Sequence, residues 1–132
     1  MRILLVGFSE DEIERIKGLG YDVLPVPEHL RDIKVRELLN KRERGNYLWT
    51  EQRFVIMHEP TNEEIKTVMK NVRELIGSGV IFATTTETNL NWTLEELLEE
   101  LKAEDEYFRA MREARKMVKE RRGLFLDIGN VK

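Results

Sequence analysis

The chain has 132 residues, the size of one ordinary domain, and 41% of them are hydrophobic, enough for a packed core. It contains no Cys, which excludes disulfides, thiolate zinc sites and thiol catalysis. A net charge of -3 excludes any global attraction to nucleic acid or to an anionic membrane.

Charged residues reach 36%, and Gln52 is the single glutamine; that composition is the one heat-adapted proteins favour, so a thermophilic source is expected. The opening "MRILLVGF" has too short an apolar run for a signal peptide and no small-residue cleavage site. No stretch is long enough to cross a bilayer. A soluble cytoplasmic protein is expected.

Four short apolar runs read as buried strands, at 3–6, 23–26, 54–57 and 80–83. They are continuous rather than alternating, as in strands covered on both faces. Helical patterns lie between them. Ile13 and Ile16 mark the first, and Ile33, Leu38 and Leu39 a second, less regular one. Ile65, Val68, Met69, Val72, Leu75 and Ile76 give the third a strong helical period. Three capping boxes start helices just after strands: Ser9 with Glu12, Thr61 with Glu64, and Thr93 with Glu96. Gly18 and Gly20 stop the first helix, and Gly77 and Gly79 the third. From Thr93 the pattern stays helical to about Arg122, and 123–132 reads as a small strand or docked tail.

Alternating strands and helices predict parallel strands with right-handed crossovers. The expected fold is a single α/β domain over 1–132, small and three-layered. It has a four-stranded, mainly parallel sheet in the order 2-1-3-4 and a long C-terminal helix. That helix, about 45 Å over 93–122, is expected to overhang the sheet unless a break near Glu104–Glu106 folds it back. The link from Pro27 to Arg53, with its "KRERGNYLW", does not fit the simple repeat.

In a parallel sheet all the carboxyl ends share one edge, where ligands bind. That edge would carry Ser9, His29, His58 with Glu59, and the polar loop of Thr85, Thr86 and Asn89. These are the expected ligand-binding residues. Trp92, before the Thr93 cap, has the spacing of a hydrophobic staple with Leu97, a reading preferred over stacking on a ligand.

The stretch "TETNLNWTLEELLEEL" resembles a small domain of unknown function from archaeal and bacterial proteins. The matching residues are Thr86, Asn89, Trp92, Thr93, Leu94, Leu97 and the acidic "EELLEEL". The resemblance covers the second half of the chain, from the strand before His58 to about Glu106. It implies that this loop-to-helix unit is a family hallmark, and it brings no activity, cofactor or substrate.

Motifs for chemistry are missing. Gly7 begins no phosphate-binding loop, and "GLG" at 18–20 ends a helix instead of starting one. The acids of "GFSEDE" lie in a helix's first turn, where they suit the positive helix end, and Ser9 sits in no nucleophile elbow. His29, His58, Glu28 and Glu59 lack metal-ligand spacing, so neither a metal nor a cofactor is expected. Lys41, Arg42 and Arg44 near Tyr47 and Trp49 could meet a phosphate backbone, but Glu37, Glu43 and Glu51 interrupt them. No catalytic residue is assigned; for an enzyme, His58 and Glu59 would be the first to test for acid–base work.

The leading expectation is a non-enzymatic interaction module that forms a homodimer through its C-terminal helix. Leu94, Leu97, Leu101, Phe108, Met111 and Val118 follow coiled-coil steps, with Leu101, Phe108, Met111 and Val118 as the interface. Residues 95–106 hold seven acids against Lys102, and 109–122 hold seven bases against Glu113 and Glu120. The alternative is a small anionic-ligand or nucleotide-binding domain using the carboxyl edge, with helix-start amides as donors.

Overall fold

The computed structural model describes residues 1–131, with side chains through Lys119. In chain order the elements are β1 (Arg2–Val6), α1 (Glu10–Lys17), β2 (Asp22–Pro25), α2 (Val35–Leu38), β3 (Arg53–His58), α3 (Asn62–Ile76), β4 (Val80–Thr84) and α4 (Leu94–Val131). Short 3-10 turns occupy Glu28–Leu30 and Asn89–Asn91. The chain divides into two compact units, Met1–Glu99 and Glu100–Lys132.

The first unit is built on a four-stranded sheet in the order β2-β1-β3-β4, the order expected from the sequence. The sheet is mainly parallel, as expected, with one antiparallel pair that the simple strand–helix repeat does not produce. β1 and β2 are parallel, as are β3 and β4, but β1 and β3 pair antiparallel, with Arg2 opposite His58 and Val6 opposite Phe54. The cause is the long link. From the end of β2 the chain passes through α2, and the Leu39 carbonyl and Asn40 meet the Arg2 side chain at the start of β1. It then returns toward the other end of the sheet. Trp49 Nε1 donates to the Val26 carbonyl at 2.9 Å, and Thr50 and Gln52 close against Gly7. The link thus travels the length of the sheet twice, and β3 enters from the end where β1 and β2 finish. Gly7 is required at that crossing. Its φ of 83° is left-handed, and a Cβ would collide with the Gln52 carbonyl.

Strand alternation divides the core between two faces. Ile3, Leu5, Val23, Val55 and Met57 share one face, and pack with Ile13 and Ile16 of α1 and Val68 and Val72 of α3. The opposite positions Leu4, Leu24, Phe54 and Ile56 are buried as well, which is why the runs read as continuous. β4 is an edge strand, half-buried throughout.

Helix starts follow the sequence closely. Ser9 and Thr61 form complete capping boxes with Glu12 and Glu64. At Thr93 the hydroxyl accepts from the Glu96 amide at 3.2 Å, while Glu96 meets that hydroxyl and not the cap amide. The first residues of α4 are tied to the β2–α2 link: Leu94 N–H donates to the Ile33 carbonyl and Glu95 N–H to the Arg31 carbonyl. Leu94 and Leu97 are 0% and 2% exposed. These two leucines, which share the coiled-coil spacing, thus belong to the core of the first unit, and the expected interface of Leu101, Phe108, Met111 and Val118 begins beyond them.

In the second unit α4 runs without a break through Glu104–Glu106, where Arg109 pairs with Asp105 one turn earlier at 3.1 Å. Residues 123–131, read from the sequence as a small strand or docked tail, instead continue α4.

Candidate functional site

The reversal of β3 splits the single carboxyl edge anticipated from the sequence into two. One edge carries Ser9 and His29, after β1 and β2. The other carries His58, Glu59, Thr85, Thr86 and Asn89, after β3 and β4. The histidines thus lie at opposite edges, and the four-residue set of His29, Glu28, His58 and Glu59 cannot assemble around a metal. Among the described residues no group of three or more such side chains could hold one.

At the first edge the polar groups are already partnered. Ser9 Oγ accepts from the Glu12 amide, and the Ser9 amide donates to Glu12 Oε1. His29 Nε2 lies 3.0 Å from Glu43 Oε1. Glu12 also receives Arg53, with Nη2 at 2.9 Å from Oε2, and its side chain is only 15% exposed. Burial alone would raise the Glu12 carboxyl. The Ser9 amide bond and the Arg53 hydrogen bond and charge outweigh it, and hold the group below the ordinary range. A depressed folded value gives stability that is present above the unfolded carboxyl's pKa and lost as pH falls through the folded one. Acid unfolding followed by circular dichroism should therefore lose part of its pH dependence below about pH 4.3 in Glu12→Gln. An unchanged acid limb would show that this pair does not couple folding to protons.

The polar loop after β4 turns out to be a folded turn. Asn89 is 8% exposed. Its Oδ1 accepts from the Thr86 amide at 2.7 Å, and its own amide donates to Thr86 Oγ1 at 3.0 Å. Its Nδ2 donates to the Thr84 carbonyl at 3.2 Å. The reciprocal pair is a capping box with Asn at the position usually held by Glu. Asn91 and Trp92 close the same turn through their amides. Thr86 and Asn89 therefore spend their polar atoms on the loop's own backbone. The start of α4 is likewise occupied, so it presents no free amides for an anion.

What does gather at this edge is a cleft that the sequence did not suggest. His58 holds Thr85 Oγ1 through Nδ1 at 2.8 Å. Its antiparallel neighbour Arg2 stands beside it. Arg36, Leu39 and Asn40, brought over by the first leg of the β2–β3 link, complete the wall, and the cavity measures about 470 Å³. Glu59 stands at the rim, 83% exposed at its side chain. It is the one non-glycine residue with positive φ among those described, at 52°. No sequence signal marked Arg2, Arg36 or Asn40, because each joins the cleft only when β3 runs against β1.

The fold and cleft define a mixed α/β protein with cationic and imidazole donors at one sheet edge. Residues 53–108 match the family described as a domain of unknown function, DUF3783. The match begins at β3 and takes in α3, β4, the 85–91 loop and the start of α4. No curated protein matches the chain, and no solved structure does. Among the described residues, no helix is long and apolar enough to cross a membrane.

Proposed function

We propose that this protein is a non-enzymatic interaction module, acting in the cytoplasm, that self-associates through the exposed part of α4. The observation that carries this reading is the exposure of large apolar side chains on one helix. Tyr107, Phe108, Met117 and Val118 are 62%, 58%, 54% and 48% exposed. They are four of the seven large hydrophobics exposed among the described residues. With Met111, Ala110 and Ala114 they cover an arc of about 180° at 100° per residue. An uncovered apolar face of that width is uncommon on a monomer.

The charge pattern supports a second copy of this chain as the occupant. The seven acids of 95–106 precede the seven bases of 109–122. Two such helices laid antiparallel set each acidic half against the other's basic half, and a two-fold axis has that symmetry. Helix-dipole complementarity explains only the terminal turns, whereas the blocks run on between them. Leu101, Phe108, Met111 and Val118 form the seam, with Phe108 and Met111 nearest the axis; the charges set direction and the apolar seam supplies affinity.

Sedimentation of the full chain tests this. Wild-type protein at micromolar concentration should sediment as two 15.6 kDa chains. Phe108→Asp with Met111→Asp buries four carboxylates at the axis, and should raise the dissociation constant more than roughly a thousandfold. A monomeric wild type, or an unchanged dimer in the double variant, would defeat the arrangement.

The second reading, an anionic-ligand or nucleotide-binding domain, draws support at one edge only. Ser9 and His29 lie apart from the cleft, while His58 and Glu59 line it.

A further inference from the structure

We propose that the cleft between Arg2, Arg36 and His58 is a binding site for a small oxyanion, a carboxylate or phosphoryl group on a compact molecule. The site is independent of the α4 surface. Its volume of about 470 Å³ lies within the range of small-ligand pockets.

Three donors face it, and their partners leave atoms to spare. Arg2 is held by three bonds. Nε reaches Asp22 Oδ2 at 3.1 Å, and Nη1 donates to Asn40 Oδ1 at 3.2 Å and to the Leu39 carbonyl. Its Nη2 has no partner among the described residues. A guanidinium fixed in this way loses little freedom on meeting an anion. Asp22 does not neutralise it fully, because Arg42 Nη2 takes the other carboxylate oxygen at 2.8 Å. Arg36 forms no hydrogen bond or ion pair among the described residues, and it is exposed on α2. A free planar fork beside a fixed one suits the two-oxygen face of a carboxylate or phosphate.

His58 supplies the third donor. Thr85 occupies Nδ1, so Nε2 is the ring nitrogen left for a ligand. Glu59 Oε1 stands 3.9 Å from it, beyond hydrogen-bond distance. The left-handed backbone at Glu59 is a local strain that the rest of the edge must hold in place, and such residues cluster at ligand sites. The Glu59 carboxylate opposes an anion, which makes it the rim charge that limits affinity. A bound cation is disfavoured by the two guanidinium groups.

The two histidines allow a direct test on the full-length chain. Imidazole nitrogen shifts of His58 and His29 are followed by NMR while inorganic phosphate or acetate is added at constant ionic strength. His58 should move saturably, and His29, at the opposite edge, should not. The tighter of the two anions assigns the group as phosphoryl or carboxylate. Arg36→Gln should weaken binding roughly tenfold. It makes no bond whose loss would unfold the chain, and Glu59→Gln should strengthen binding. The proposal is overturned if neither anion gives a saturable shift at His58, if both histidines move alike, or if Arg36→Gln binds as tightly as wild type.

Discussion

Phe54→Ala should cost about 3–5 kcal/mol of folding stability, the range for removing a buried aromatic ring. Phe54 is 0% exposed, in β3, which has a neighbour on both sides. It lies opposite Val6 of β1, also 0% exposed, and beside Ile81 of β4. Paired strands on both sides hold the backbone in place, so the cavity cannot collapse, and lost contacts add to lost burial. Ile81 itself sits on the half-buried edge strand, and Ile81→Ala should cost only about 1–2 kcal/mol. Urea unfolding of both variants, with slopes close to wild type, measures the difference. The expected loss at Phe54 is a large fraction of a stability that in most domains totals about 5–15 kcal/mol. Equal costs for the two variants would mean that β3 is not the interior strand.

That strand also marks where sequence reasoning succeeded and where it stopped. Its apolar run was legible because both faces are buried, and the same holds for β1 and β2. The order of the strands agrees with the expected 2-1-3-4. The direction of β3 was not legible. A crossover helix carries the chain along the sheet once, and only α2 shows any helical pattern within the link. The return leg, 41–52, has neither helix nor strand, with Tyr47 packed on the core and Trp49 tied to Val26. Nothing in "KRERGNYLW" has a period that announces a second traverse. Yet that traverse decides the site: it separates His29 from His58, and sets Arg2 beside His58. Residues at the start of one strand and the end of another become neighbours only in an antiparallel pair.

Helix starts were more legible, because a cap is a local device of four residues. Ser9–Glu12 and Thr61–Glu64 fold as their spacing implies. Leu94 and Leu97 illustrate the converse. Their heptad spacing was shared by the exposed residues beyond Leu101, and periodicity cannot tell a seam that faces a domain's own core from one that faces a partner. Burial separates them.

Asn89→Ala should destabilise the ligand-free chain by about 2–4 kcal/mol, because it leaves two backbone groups without partners. The Thr86 amide loses its acceptor at 2.7 Å, and the Thr84 carbonyl loses its donor at 3.2 Å. Asn89 is 8% exposed, so water reaches these groups poorly. The turn they close links β4 to α4, whose first residues bond to Arg31 and Ile33 of the β2–α2 link. Loosening it should therefore disturb more than the loop. Asn89→Asp keeps the acceptor and loses the donor, and should fall between alanine and wild type. If Asn89 served a ligand instead, alanine would spare the stability of the free chain and abolish only a ligand-dependent shift. Urea unfolding without any added ligand separates the two. A loss under about 0.5 kcal/mol, the level of an ordinary surface substitution, would return the asparagine to the list of ligand contacts. A loss near the expected value would leave Thr86 and Asn89 as the residues that shape the edge, and His58, Arg2 and Arg36 as those that face what binds there.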